Sequence, residues 1–198
     1  MRKLSLKQLV CARLKILENA SDLIRDADCL FEEGRWARSA FLSHIAIEEL
    51  GKYLMIMGAI VNHISKQIDW KKFWKRFVSH RSKTQNIFFF DAALSPPEED
   101  EEILRDFEKA ESDSAKFQKE KLSSLYVDFR NDQFILPMDV VNEDTAKRAI
   151  ENAKAVLDFF QNGENLVFSK VDLGKLTADT VARIEEEVKK LSTKLKEA

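Results

Sequence analysis

Apolar residues recur at steps of three and one along the first thirty positions: Leu6, Leu9, Val10, Ile16, Leu17, Ala20, Leu23, Ile24, Ala27, Leu30 and Phe31, with Arg13 as the interruption. That period predicts one long amphipathic helix, and Gly34 supplies its C-terminal stop. The stretch Arg35 to Ile60 follows, apolar on nearly every side of a helix yet carrying His44, Glu48, Glu49 and Lys52 at its middle. A helix hydrophobic all round belongs at the centre of its domain, and charge buried in it must be paired or employed. The turn at Gly34-Arg35 makes the two an antiparallel hairpin of long helices.

Downstream, Asp69 is a good N-cap for a third helix whose Trp70, Phe73, Trp74, Phe77 and Val78 form an aromatic stripe for the core. Lys71, Lys72, Lys75 and Arg76 then face outward. If this helix continues, Arg81 returns to the aromatic face with His80 at its edge, and Arg81 is expected to meet a carboxylate of the central helix. Ile87 to Leu94 extends the apolar surface as far as Ser95-Pro96-Pro97. Pro97 opens an acidic helix whose apolar positions Ile103, Phe107, Ala110 and Phe117 are sparse, which places it at the periphery.

The β-formers flanking Arg130-Asn131-Asp132-Gln133 predict a short hairpin or extended excursion within 125–137. Helix resumes from Asn142 to Gln161 and ends at Asn162-Gly163. A last helix from Thr177 carries Val181, Ile184, Val188, Leu191 and Leu195 as a narrow two-helix seam. The expected division is a helical domain over 1–163 and a C-terminal linker and helix over 164–198, packed on the domain or on a second subunit.

Composition narrows the fold class. Five Gly and three Pro against 14 Phe and 33% charged residues leave little turn chemistry for a many-stranded sheet, so the expectation is all-α. The uncharged run from Tyr53 to Ser65 is too short to span a membrane, and the N-terminus lacks a signal-peptide apolar core. A cytoplasmic protein without membrane partners is expected. Cys11 and Cys29 fall on one predicted helix about 27 Å apart, too far to bridge, and are expected as buried free thiols.

The net charge of −2 carries no global nucleic-acid signal. Locally, seven basic residues between Lys66 and Lys83 face only Asp69, while nine acids between Glu98 and Asp113 face only Arg105 and Lys109. These blocks are solvated helix faces or, for the basic one, a face that receives RNA or an acidic partner through Lys71, Lys72, Lys75 and Arg76.

Three readings of the central polar residues stand open. In the first, Glu48 and Glu49 pair with Lys52, or with Arg81, and hold the helices in register. In the second they serve acid-base cleavage of RNA, which needs a base for the 2′-OH, an acid for the 5′-oxygen and cations for the charge on phosphorus. His44 or His80 would move the protons, Arg38, Arg81 or Lys83 would stabilise the phosphorane, and Glu48 would orient a histidine. The third, a metal held by His44 and Glu48, lacks the three or four ligands such sites use, so no metal or cofactor is expected. There is no Gly-rich phosphate loop, Cys/His zinc framework or Gly-x-Ser-x-Gly elbow, which leaves NTP use and acyl transfer unsupported.

One ordered set of residues is distinctive: Glu33-Gly34-Arg35-Trp36-Ala37-Arg38, then Ile47-Glu48-Glu49-Leu50-Gly51-Lys52, then Ser79-His80-Arg81-Ser82-Lys83, then Leu125-Tyr126-Val127-Asp128 before Pro137. Over roughly Leu9 to Phe160 it resembles the AbiV-type abortive-infection family of bacteria. The resemblance implies a HEPN-like bundle around two long antiparallel helices, frequently dimeric, in phage defence. It also implies arrest of translation after contact with a phage component. Active HEPN proteins are metal-independent ribonucleases with an Arg-x4-6-His motif; Arg38-x5-His44 fits that spacing on an unusual helix, and Arg76-x3-His80 is one residue short. The resemblance thus supports two outcomes: a ribonuclease acting on RNA at Arg38, His44, Glu48, Glu49, Lys52, His80, Arg81 and Lys83, or a non-catalytic protein that binds a phage or translation component.

Overall fold

The computed structural model describes residues 2–65, 68–94 and 100–165. Helix α1 (Leu6–Glu32) starts at a capping box: the Ser5 hydroxyl accepts from the Gln8 N–H at 3.3 Å, and the Gln8 side chain accepts from the Ser5 N–H at 2.9 Å. It stops where Gly34 enters the left-handed region at φ +70°. The Gly34 N–H then reaches Phe31 O at 2.9 Å and the Arg35 N–H reaches Leu30 O at 2.8 Å, the paired bonds of a Schellman stop. Helix α2 (Trp36–Ser65) returns alongside, and this hairpin is the most extensive interface of the fold.

Around α2 lie α4 (His80–Leu94), the C-terminal half of α5 (Asp100–Ser123) and α7 (Glu143–Gly163). Leu9, Ile16 and Ile24 of α1, Ile47, Leu50, Ile56 and Ile60 of α2, and Leu157 and Phe160 of α7 form the core. Each such side chain, once buried, stabilises the fold by roughly 1.5–3 kcal/mol. The domain is therefore all-α, with α2 as its axis.

The expected hairpin is present. Strands β1 (Asp128–Arg130) and β2 (Gln133–Ile135) pair antiparallel around Asn131 and Asp132, whose φ values of 51° and 61° make the left-handed two-residue turn favoured between twisted strands. A short helix α6 (Pro137–Val140) follows, and Asn142 caps α7 by accepting from the Thr145 N–H at 2.9 Å.

Four expectations are corrected. Helix α3 (Trp70–Val78), capped by Asp69 as expected, ends at Ser79 rather than continuing through Arg81. Ser79 is extended (ψ 119°) and its hydroxyl caps the new helix, accepting from the Ser82 N–H at 3.2 Å, so the helical phase restarts at His80. The aromatic stripe of α3 reaches only the core's margin, with Trp70, Phe73 and Phe77 half-buried.

The acidic helix is not peripheral along its length, because Ala110, Ser114, Phe117 and Lys121 of α5 are buried. Both cysteines are exposed. Cys11 and Cys29 each follow a buried residue, Leu9 and Ala27, by two positions, a turn of about 200° away from the core.

Arg13 finds an acid where none was expected. It pairs with Glu164, at the end of α7, whose second oxygen accepts from the Tyr53 hydroxyl at 2.6 Å. Burial and the neighbouring Glu164 carboxylate push the Tyr53 phenol well above its ordinary pKa. The seam from Val181 to Leu195 and the Ser95-Pro96-Pro97 stop lie outside the described residues. No described helix is long and apolar enough to cross a membrane.

Candidate functional site

The site is built where α4 crosses α2, and Gly51 permits the crossing. A Cβ at Gly51 would lie 2.1 Å from the Lys83 carbonyl oxygen, so only glycine lets the first turn of α4 lie directly on α2. Asn86 then donates to the Gly51 carbonyl at 3.4 Å. This contact places His80 and Lys83, at the start of α4, over Glu48, one turn earlier on α2.

Glu48 is 1% exposed. Each of its oxygens is held twice: Oε1 accepts from Gln118 at 2.9 Å and from Lys121, while Oε2 faces His80 Nδ1 at 2.6 Å and Lys83 Nζ at 3.6 Å. Gln118 also donates to Thr84. Burial alone would raise the Glu48 pKa, but the hydrogen bonds from His80, Lys121 and Gln118 outweigh it and hold the carboxyl below its ordinary value. Lys83 is lowered, by its burial first and only partly restored by Glu48.

Of the four groups on Glu48, only His80 is open, its side chain 64% exposed. Because an ionised carboxylate only accepts, Nδ1 carries the proton in the bond with Glu48, and Nε2 is the ring nitrogen left free of that bond. One carboxylate against two lysines leaves the cluster at +1 before His80 gains a proton. The unpaired N–H groups at the start of α4 add to that positive field.

The structure brings Glu48, His80 and Lys83 together, with the Glu49–Lys52 pair alongside on α2. It separates the others. Arg81, expected on a central glutamate, points outward to Glu111 at 2.8 Å because α4 starts a new helical phase. Arg38 donates to the Leu125 carbonyl at 3.0 Å, at the entry to the hairpin.

His44 is 6% exposed and meets Phe117 edge-on at 4.5 Å. Desolvation, then the nearby Lys121, lower its pKa to about 4, so it is neutral at pH 7. Its ring lies near the Ala40 carbonyl without completing a hydrogen bond, and Nδ1 is enclosed without a partner. His63, at the far end of α2, is half-buried and remote in sequence from these groups. Among the described residues no three His, Cys, Asp or Glu side chains converge as a metal site requires.

Lys71, Lys72, Lys75 and Arg76 are exposed on α3 as expected, with Arg76 donating to Asn86 at 2.7 Å. Two members of the cluster were not foreseen, Lys121 and Gln118 of α5. The signal was the buried series Ser114, Phe117, Lys121 and Ser124, a helical stripe with a lysine and two small hydroxyls in it.

No curated protein and no solved structure matches the chain. The family model HEPN_AbiV, described as AbiV, matches residues 8–158, from the first turns of α1 to near the end of α7 and across every member of the Glu48 cluster. The chain belongs to the AbiV family of HEPN proteins.

Proposed function

We propose that this AbiV-family chain acts in abortive infection as a metal-independent ribonuclease that arrests translation, with the His80–Glu48 pair at its centre. The observation that carries the reading is the exposed imidazole of His80, fixed through Nδ1 on a carboxylate that is buried and held ionised. A structural ion pair has no use for an accessible histidine, since Lys121 and Lys83 already balance Glu48. A proton carrier does.

In this reading His80 Nε2 takes the proton of a ribose 2′-OH, the 2′-oxygen attacks phosphorus, and the 5′-oxygen leaves with a proton. The positive cluster and the start of α4 favour the charge on phosphorus. Glu48 orients the ring through its bond to Nδ1. A second copy of the chain, with its own His80 facing the first, supplies the acid, so dimerisation belongs to the proposal. A phage component serves as the trigger, and tRNA, rRNA or mRNA as the substrate.

The test is incubation of pure protein with each RNA class in EDTA, with and without an extract of infected cells. Cleavage leaving 2′,3′-cyclic phosphate and 5′-hydroxyl ends is expected. Intact RNA under both conditions would remove the enzymatic reading. A non-catalytic reading has one observation of its own: Tyr126, Val127, Phe129, Phe134, Leu136 and Met138 are all exposed around the hairpin, an apolar surface on which a phage or translation protein could dock. Under that reading, phage protection survives His80→Ala and is lost on Phe134→Asp.

A further inference from the structure

The face of the bundle between α2, α3 and α4 carries a different arrangement. A cleft of about 690 Å³ opens there, walled by Leu54 and Met55 of α2, Phe73 of α3, and Phe89 and Phe90 of α4. Lys72 and Arg76, one turn apart on α3, stand on it, with Asp69 as the one carboxylate among the described residues of the lining. That carboxylate is engaged as the cap of α3, accepting from the Lys71 and Lys72 N–H groups at 2.9 and 3.0 Å. Neither Lys72 nor Arg76 forms an ion pair among the described residues. Arg76 donates instead to a neutral group, the Asn86 side-chain oxygen at 2.7 Å, which fixes the guanidinium at the cleft and leaves its charge unanswered. Two cations against one carboxylate give the described lining a formal charge of +1.

Gly58 is the second, independent sign. It lies inside α2, where glycine is among the residues least favourable to a helix, and it lines the cleft. At Gly51 packing demands a glycine, but at Gly58 a Cβ would meet nothing within 4 Å. No described neighbour therefore accounts for the missing side chain. Its effect is to keep the floor of the cleft open, beside the small side chain of Ala59. Apolar walls, a floor without bulk and cations on one side suit a ligand that is apolar along its body and anionic at one end.

We propose that this cleft binds a free monocarboxylate with an alkyl or aryl body, the carboxylate on Arg76 and Lys72 and the body between Leu54, Phe73 and Phe89 over Gly58. The guanidinium fork matches a carboxylate edge, and its bond to Asn86 leaves further N–H donors for a ligand. A single net positive charge balances a monoanion, and the apolar walls leave no polar partner for a second charged group at the other end. The volume lies within the range of about 300–1,000 Å³ typical of small-molecule sites. Neither His80 nor Glu48 is part of the lining, so the proposal stands whether or not that pair cleaves RNA.

The experiment is calorimetric titration of the full chain with hexanoate, octanoate, decanoate and phenylbutyrate, with acetate as the charge without the body and octanol as the body without the charge. Affinity is expected to rise about fourfold with each added methylene, and octanoate to bind about tenfold or more tightly than either control. Gly58→Leu, whose side chain enters the cleft, is expected to weaken binding by about tenfold or more without lowering the urea midpoint. Arg76→Glu is expected to weaken it by about tenfold. Lys75→Glu, exposed on the same helix, and Phe134→Asp, in the apolar surface of the hairpin, leave it unchanged. Flotation with phosphatidylglycerol vesicles separates a free carboxylate from a lipid surface, and the protein is expected to stay with the unbound fraction. Absence of carboxylate binding at millimolar concentration, equal affinity across the chain lengths, co-flotation with the vesicles, or indifference to Gly58→Leu or Arg76→Glu in protein with wild-type circular dichroism would each overturn the proposal.

Discussion

Two carboxylates hold this bundle together, Glu48 buried and Glu164 half-buried, and they do so with different consequences. Glu164 joins α1, α2 and the end of α7 through Arg13 and Tyr53, and both partners are themselves buried. Glu48 joins α2, α4 and α5 through Lys83, Gln118 and Lys121, but adds His80, which stands in solvent. The first cluster is closed: none of its three side chains is exposed. The second uses the same device and keeps one titratable group outside. Burial of a charge is therefore no guide to function, since the informative feature is an accessible partner that charge balance does not require.

The comparison can be broken in stages. Glu48→Ala leaves Lys121 and Lys83 buried without the carboxylate they share, and Glu164→Ala removes the carboxylate that joins Arg13 to Tyr53. Each is expected to lower unfolding free energy by about 3–5 kcal/mol in urea titrations. Folded Glu164→Ala protein should retain the proposed RNA cleavage, and folded Glu48→Ala protein should not. Gly51→Ala drives a methyl group into the Lys83 backbone and should cost about 3 kcal/mol or more, with α4 displaced from α2.

Acid sharpens the picture further. The unfolded chain gains a proton on His44 as pH falls through about 6.5, whereas the native chain does not until about 4. Stability should therefore fall on acidification across that window, by up to about 3 kcal/mol, and this part of the loss should end below it. Glu48, held below its ordinary value, adds a loss at lower pH as its carboxylate is protonated. His44→Gln should remove the slope between pH 6.5 and 4 and leave the lower one. The smallest effect is expected at the exposed Arg81–Glu111 pair, where Arg81→Ala should change stability by less than about 1 kcal/mol.

Much of the scaffold was legible in the sequence because its signals are local. The stripe from Leu6 to Phe31, the Gly34 stop and the hairpin around Asn131-Asp132 each depend on neighbours a few residues away. Glu48 and His80 could be singled out for the same reason, as polar groups in an apolar setting. Their pairing with each other could be expected too, but the further partners could not. Arg81 was aligned with the glutamates only by running α3 past Ser79, where one extended residue resets the helical phase. Lys121 and Gln118 sit in a helix whose composition reads as solvated, and Glu164 follows the glycine that seemed to end the domain. Those pairings span 70 to 151 residues, beyond the reach of periodicity.

The most direct test of the central claim compares His80→Ala with the wild-type chain in two measurements on one preparation: initial RNA-cleavage rate in EDTA and the urea midpoint. The side chain is largely exposed and Glu48 keeps both lysines and Gln118, so the midpoint should barely move. The cleavage rate should fall by about 10²–10⁴-fold. An unchanged rate at an unchanged midpoint would contradict the account, and would place His80 with Glu164's partners as part of the frame alone.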